Sequence, residues 1–217
     1  MHPPEMLAPT SLPPYCMSHY TAPIQPRAKE SESRFLNALD ELLRHQSFGR
    51  TTVQHIADRA GLHKGAFLKR FGTKKAALIE LFERYCVQAS QAMAHGHRQI
   101  GQHTLLHDLC FELSQTLENL QRTHFSANRA MHEFFMEELQ AAPQTKRIFR
   151  ELVDLMQAMQ QHYLADQNCT LTGAYSAAQL MITLNYNYVL QAMPGLPKDA
   201  QQRHQLIAHL IIRTLWT

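Results

Sequence analysis

The sequence predicts an all-α protein, with a three-helix N-terminal unit followed by a longer helical body. Three observations carry this expectation. Apolar residues recur at helical spacing from Arg27 almost to the C-terminus. Gly49, Gly61, Pro143, Gly195 and Pro197 fall between the periodic stretches. Neither an alternating strand pattern nor an internal repeat interrupts the series.

The elements follow in order. Seven of the ten prolines lie in residues 1–26. Proline removes a backbone donor and disfavours helix in the residue before it, so residues 1–27 are expected to form a disordered leader. The segment "ESESRFLNALDELLRHQ" places Phe35, Leu36, Leu39, Leu42 and Leu43 on one helical face, with Ser31 or Ser33 as N-cap candidates. Gly49 closes that unit. "TTVQHIADRAG" then starts a short helix capped by Thr51 or Thr52, with Val53, Ile56, Ala57 and Ala60 inward and Gly61 as its stop. A second short helix is expected over about residues 63–71, and a longer one from about Thr73 to His95. The body is expected to hold helices over about residues 104–120, 126–139, 144–166, 172–193 and 199–217. Pro143, Gly173, Gly195 and Pro197 punctuate it.

Composition narrows the function classes. The chain has 217 residues, of which 45% are hydrophobic, enough for a sizeable core. No apolar run approaches the roughly 18–20 residues of a membrane span, and "MHPPEMLAPTSLPP" lacks the pattern of a secretory signal. Cys16, Cys86, Cys110 and Cys169 form no CxxC pair, which favours free thiols in the cytoplasm over a disulfide framework. The net charge of +3 is unevenly spread: residues 27–84 hold 12 Lys and Arg against 7 Asp and Glu, and the rest is slightly acidic. A polyanionic partner is therefore expected for the first unit alone.

The corner "IADRAGLHKGAFLKRFGTKKAAL" indicates what that partner is. Ala57 lies four residues before Gly61, and its small side chain lets two helices cross closely. Leu62 plugs the turn, and Phe67 and Phe71 can face the preceding helices. His63, Lys64, Ala66, Lys69 and Arg70 then remain on the outer face of the second short helix. Such a face suits the major groove of double-stranded DNA, with His63, Lys64 and Ala66 near base edges. Lys64, Lys69, Arg70, Lys74 and Lys75 are expected to meet phosphates, as are the amides at the helix start near Thr73. A solvated charged face is the alternative for any one of these cations.

The stretch "TTVQHIADRAGLHKGAFLKRFGTKKAAL" resembles the DNA-binding signature of the TetR family of helix-turn-helix regulators. It shares the Thr-Thr-Val start, Ile-Ala and Ala-Gly at matching spacing, the closing Phe of the recognition helix, and a Gly-Thr-Lys passage into the next helix. The resemblance covers about residues 29–88. It implies a DNA-binding domain over residues 28–88, to which Thr52 also contributes, and a helical effector-binding and dimerisation domain over residues 89–217. His63 stands where the family often has Ser, and Ala66 where Thr or Ser is common. Leu68 takes the place of a phosphate-touching Tyr, leaving at most a contact with a thymine methyl. Lys69 occupies a position that is often aromatic. The implied function is that of a ligand-responsive regulator, a repressor released from a palindromic operator by a small-molecule effector.

The same resemblance places homodimerisation on the last two helices. Their stripes include Ala174, Ala177, Met181 and Leu184, then Ile207, Leu210, Ile211 and Leu215. The effector is expected among the middle helices, where "FSANRAMHEFFMEEL" combines Phe125, Phe135 and Met136 with Arg129 and His132. Tyr175 and Tyr186 are further lining candidates. Plain core is the alternative for every one of these residues.

Other classes find less support in the residues. His103 and His107 stand at i, i+4 and could chelate a regulatory metal, although no third ligand completes the set. Neither Cys86 nor Cys110 has a clear cationic neighbour that would lower its pKa, so buried packing is expected for both. No nucleophile elbow, phosphate loop or HExxH is present, and Glu133 with Glu137 lacks a second carboxylate–His set, so neither enzyme activity nor a cofactor is expected. A helical adaptor that keeps the fold but not the DNA affinity is the remaining alternative.

Overall fold

The structure is a computed structural model that describes residues 26–103, 105–137, 142–165, 170–190 and 195–216. Among the described residues all regular structure is α-helical. The chain folds as α1 (Pro26–His45), α2 (Val53–Ala60), α3 (Lys64–Phe71), α4 (Lys74–Gln99), α5 (Leu106–Thr123), α6 (Phe125–Phe134), α7 (Pro143–Tyr163), α8 (Leu171–Val189) and α9 (Ala200–Leu215). The leader expected over residues 1–27 lies outside the described residues except for Pro26 and Arg27, which open α1. Neither Ser31 nor Ser33 caps that helix; the Ser31 hydroxyl donates back to the Arg27 carbonyl at 2.9 Å.

Two apolar cores share α4. The first joins α1, α2, α3 and the N-terminal half of α4, and continues onto Ala127, Ala130 and Met131 of α6. Phe35 of α1 is its centre. Its ring meets Phe67 at 5.3 Å and Phe71 at 6.2 Å, both edge-on, and the latter two are 5.0 Å apart. Edge-to-face rings resist rotation as well as separation, so this trio fixes the roll of α3 on α1.

The second core comprises Met93 of α4 with α5, α7, α8 and α9. The change from one core to the other falls on α4 between Ala89 and Met93. Helix α5 lies against α4, α8 and α9, while α7 bridges α4 and α8. Gly96 sets the closeness of α4 to α7, because a Cβ there would stand 2.8 Å from Leu155 Cδ2.

A buried polar network crosses this second core. Arg203 of α9, 2% exposed, forms a two-pronged ion pair with Glu118 of α5 at 2.9 and 2.8 Å. Its remaining nitrogen donates to the Pro197 and Lys198 carbonyls, and its plane lies 3.7 Å from the Tyr188 ring centre. His204 approaches Ser114 at 2.8 Å and Glu118 at 3.5 Å. Burial alone would raise the Glu118 carboxyl, but hydrogen bonds and charge from Arg203 and Arg122 hold it below its ordinary range.

Candidate nucleic-acid interface

Local chemistry builds the corner between α2 and α3. Thr52 is the N-cap of α2, its hydroxyl accepting from the His55 amide at 3.1 Å. Gly61 ends α2 at φ 63°, a left-handed conformation that a side chain would strain. The Leu62 amide then returns to the Ala57 carbonyl at 3.0 Å and closes the turn.

A residue absent from the sequence expectations completes this corner. Arg34 of α1 donates to the Ala60 carbonyl at 2.6 Å and to the Gly61 carbonyl at 3.3 Å. A cation on the C-terminal carbonyls of α2 satisfies acceptors and complements the helix dipole. No sequence signal marks it, because Arg34 and Ala60 are 26 positions apart.

Helix α3 presents the expected face. His63 is its N-cap without a side-chain capping bond, and His63, Lys64, Ala66, Leu68 and Lys69 are all exposed. Leu68 is 42% exposed, a large apolar group on an otherwise polar surface. Lys64 occupies the first position of α3, where the positive end of the dipole opposes a cation. An anion bound there relieves both charges at once.

The other four basic or capping groups have internal roles. Arg70 stands 3.9 Å from Glu32 of α1, with both side chains largely covered. Lys74 donates to the Phe48 carbonyl at 2.6 Å and the Thr51 carbonyl at 2.5 Å, and lies 4.2 Å from the Phe48 ring centre. Burial pushes its pKa down. Lys75 lies 4.6 Å from the Phe135 ring centre. The Thr73 hydroxyl takes the Ala76 amide at 3.0 Å, so one of the amides expected to meet phosphate already has a partner.

The effector candidates separate into groups instead of lining one chamber. Arg129 donates to the Leu43 carbonyl at 2.7 Å and stacks 5.3 Å over Phe125. Phe135 meets Phe48 at 5.4 Å, which assigns it to the junction with the first core, and Met136 beside it is half-buried. His132 and Tyr186 are ring neighbours at 5.8 Å. Tyr175 is 53% exposed and packs edge-on against Phe149, away from α6.

The histidines of the metal alternative also diverge. His103 faces Glu112 at 3.0 Å, while His107 approaches Asp108 at 3.4 Å and stacks on Phe111. Among the described residues no group of three or more metal-ligating side chains assembles. Cys86 and Cys110 are buried, and burial raises both thiols to about 12, which disfavours the reactive thiolate.

Residues 35–81 match the family of bacterial regulatory proteins, tetR family. No curated protein matches the chain. Among solved structures, NalD, the secondary repressor of the MexAB-OprM multidrug efflux pump in Pseudomonas aeruginosa, superposes with a TM-score of 0.64 at 17% identity, covering 88% of this chain and 98% of its own. The TetR family transcriptional regulator PfmR from Thermus thermophilus gives 0.60 at 15% identity, covering 83% and 97%. The fatty acid degradation regulator FadR from Bacillus halodurans gives 0.56 at 12%, covering 88% and 96%. At these identities the superpositions establish a shared fold. Among the described residues no helix is long and apolar enough to cross a membrane.

Proposed function

From a chain that belongs, through residues 35–81, to the tetR family of bacterial regulatory proteins, we propose a homodimeric, ligand-responsive transcriptional repressor acting in the cytoplasm without catalysis. One observation carries the reading: Gly61 and Arg34 lock a corner that leaves His63, Lys64, Ala66, Leu68 and Lys69 facing outward on a short helix. In this reading Lys64 and Lys69 supply the principal phosphate contacts. Thr52 lies beside the backbone at the start of α2, and Leu68 meets a thymine methyl. Arg70, Lys74 and Lys75 act from behind, holding α3 and the start of α4 in place.

Dimerisation falls to α8 and α9, which would set two recognition helices on half-sites about 34–36 Å apart or at a wider spacing. The effector acts through α6, which carries Phe125, Arg129 and His132, with Phe135 and Met136 just past its end and Tyr186 of α8 beside His132; Tyr175 is a peripheral contributor. An effector releases DNA only if it binds the DNA-incompetent arrangement more tightly. Repression, as opposed to activation, draws support from the similarity to NalD, a repressor by name.

The test is selection of bound duplexes from a random DNA pool, followed by salt titration of the winners. A palindromic consensus with a steep salt slope is the expected result. No enrichment, with weak binding that fades by moderate salt, would refute the regulator reading and favour the adaptor.

A further inference from the structure

A groove of about 600 Å³ runs along the surface between α4 and α7, within the size range of small-molecule sites. It opens beside the point where Gly96 lets α4 close onto Leu155. Val87 and Ala94, both exposed, form its apolar side, with the buried Met93 behind them. Across from them, Glu151 and Asp154 come from one face of α7.

The charge of the groove is unbalanced. Arg147 is the guanidinium of its wall, and two carboxylates share it: Glu83 at 3.3 Å and Glu151 at 3.8 Å. Each of those carboxylates keeps a second oxygen, Oε2, that is shielded from solvent and has no hydrogen-bond donor among the described residues; the Ser90 hydroxyl in the wall is in the same condition. Asp154 adds a third negative charge at an exposed position, and His97 closes the far end. Glu83 stands behind the groove, but Glu151 and Asp154 in its lining outnumber its one guanidinium, and a ligand that brings N–H groups and positive charge balances them. Among the described residues no ligand set of three or more groups is assembled for a bare metal ion, and the apolar side suits an organic occupant.

We propose that this groove binds an amphipathic organic ammonium, its N–H groups directed at Glu151 and Asp154 and its apolar part laid along Val87 and Ala94. The site is separate from the α6 junction and from the DNA-facing corner, so the inference stands apart from the operator reading. Glu83 and Arg147 position the Glu151 carboxylate and do not themselves need to touch the ligand.

The experiment is a calorimetric titration of the full chain, free of DNA, with 1-naphthylmethylammonium as the probe. The uncharged 1-naphthylmethanol and the anionic 1-naphthylacetate are the controls. Saturable binding of one cation per chain is expected, with at least about tenfold preference over the alcohol and no binding of the acetate. Glu151→Gln and Asp154→Asn are each expected to weaken the cation about tenfold while leaving the circular dichroism unchanged. Asp154 is exposed, so its variant remains informative if the Glu151 variant misfolds. Equal affinity for cation and alcohol, unchanged affinity in folded Asp154→Asn, or no saturation by millimolar probe would each overturn the proposal.

Discussion

Lys69 and Lys74 carry the same charge five positions apart and meet different surroundings. Lys69 is exposed on α3, whereas Lys74 seats two loop carbonyls and covers the Phe48 ring. Lys69→Ala should therefore lower the salt slope of DNA binding by about one unit with stability unchanged. Lys74→Met should instead leave the carbonyls of Phe48 and Thr51 without this donor and lower the unfolding free energy by about 1–3 kcal/mol. Urea titrations of both variants beside salt-dependent binding curves separate the two roles. A reduced salt slope at full stability for Lys74→Met would return that residue to the phosphate contacts.

Among the helices, α6 straps the first core to the end of α1 and the loop after it. Arg129 caps α1 at Leu43, Ser126 donates to Asp40, and the rings of Phe134 and Phe135 cover Phe48. These contacts join α6 to the last turn of α1 and, at Phe48, to the loop that leads into α2. Arg129→Ala should loosen this joint. Hydrogen exchange is expected to accelerate in α1 to α3 by about fivefold or more, equivalent to about 1 kcal/mol, with α8 and α9 unchanged. Uniform acceleration throughout the chain would mean that Arg129 supports global stability and not the joint.

Across the molecule as a whole, the buried Glu118–Arg203–His204 network ties the end of the chain to its middle. Glu118→Gln would leave Arg203 charged and buried without its counter-ion, and should cost about 3–5 kcal/mol by denaturant titration. Burial lowers the His204 pKa below its ordinary 6.5 despite the nearby Glu118 charge, with Arg203 and Arg122 adding to the decrease. The unfolded chain thus takes up that proton first as pH falls. Stability is full above about 6.5 and is lost as pH falls from there to the folded-state pKa. His124, also lowered by burial, adds in the same direction. Glu118 contributes in a more acidic window: its stabilisation is present above its ordinary 4.5 and is lost as pH falls through its lowered folded-state value. Urea midpoints at pH 7.5 and 5.5 should differ less in His204→Gln than in the unchanged protein. An identical difference would remove His204 from the pH response.

Whatever local chemistry settles could be read from the residues alone. Apolar spacing located the helices to within a few residues, because a buried face requires that period whatever it packs against. Thr52, Gly61 and Thr73 marked helix ends, because caps act over three or four positions. Most of the outward face of α3 was legible for the same reason: Phe67 and Phe71 had to point inward, which left His63, Lys64, Ala66 and Lys69 outside, whereas Arg70, also expected there, is largely covered beside Glu32. Which cations remain available emerged only from the folded arrangement. Lys69 and Lys74 look alike in a charge run, and a carbonyl 23 or 26 positions away distinguishes them. Arg34 at the corner and Arg203 against Glu118, 85 positions distant, were likewise illegible. Periodicity records that a side chain is inside or outside, and partners across the fold decide what a charge is for.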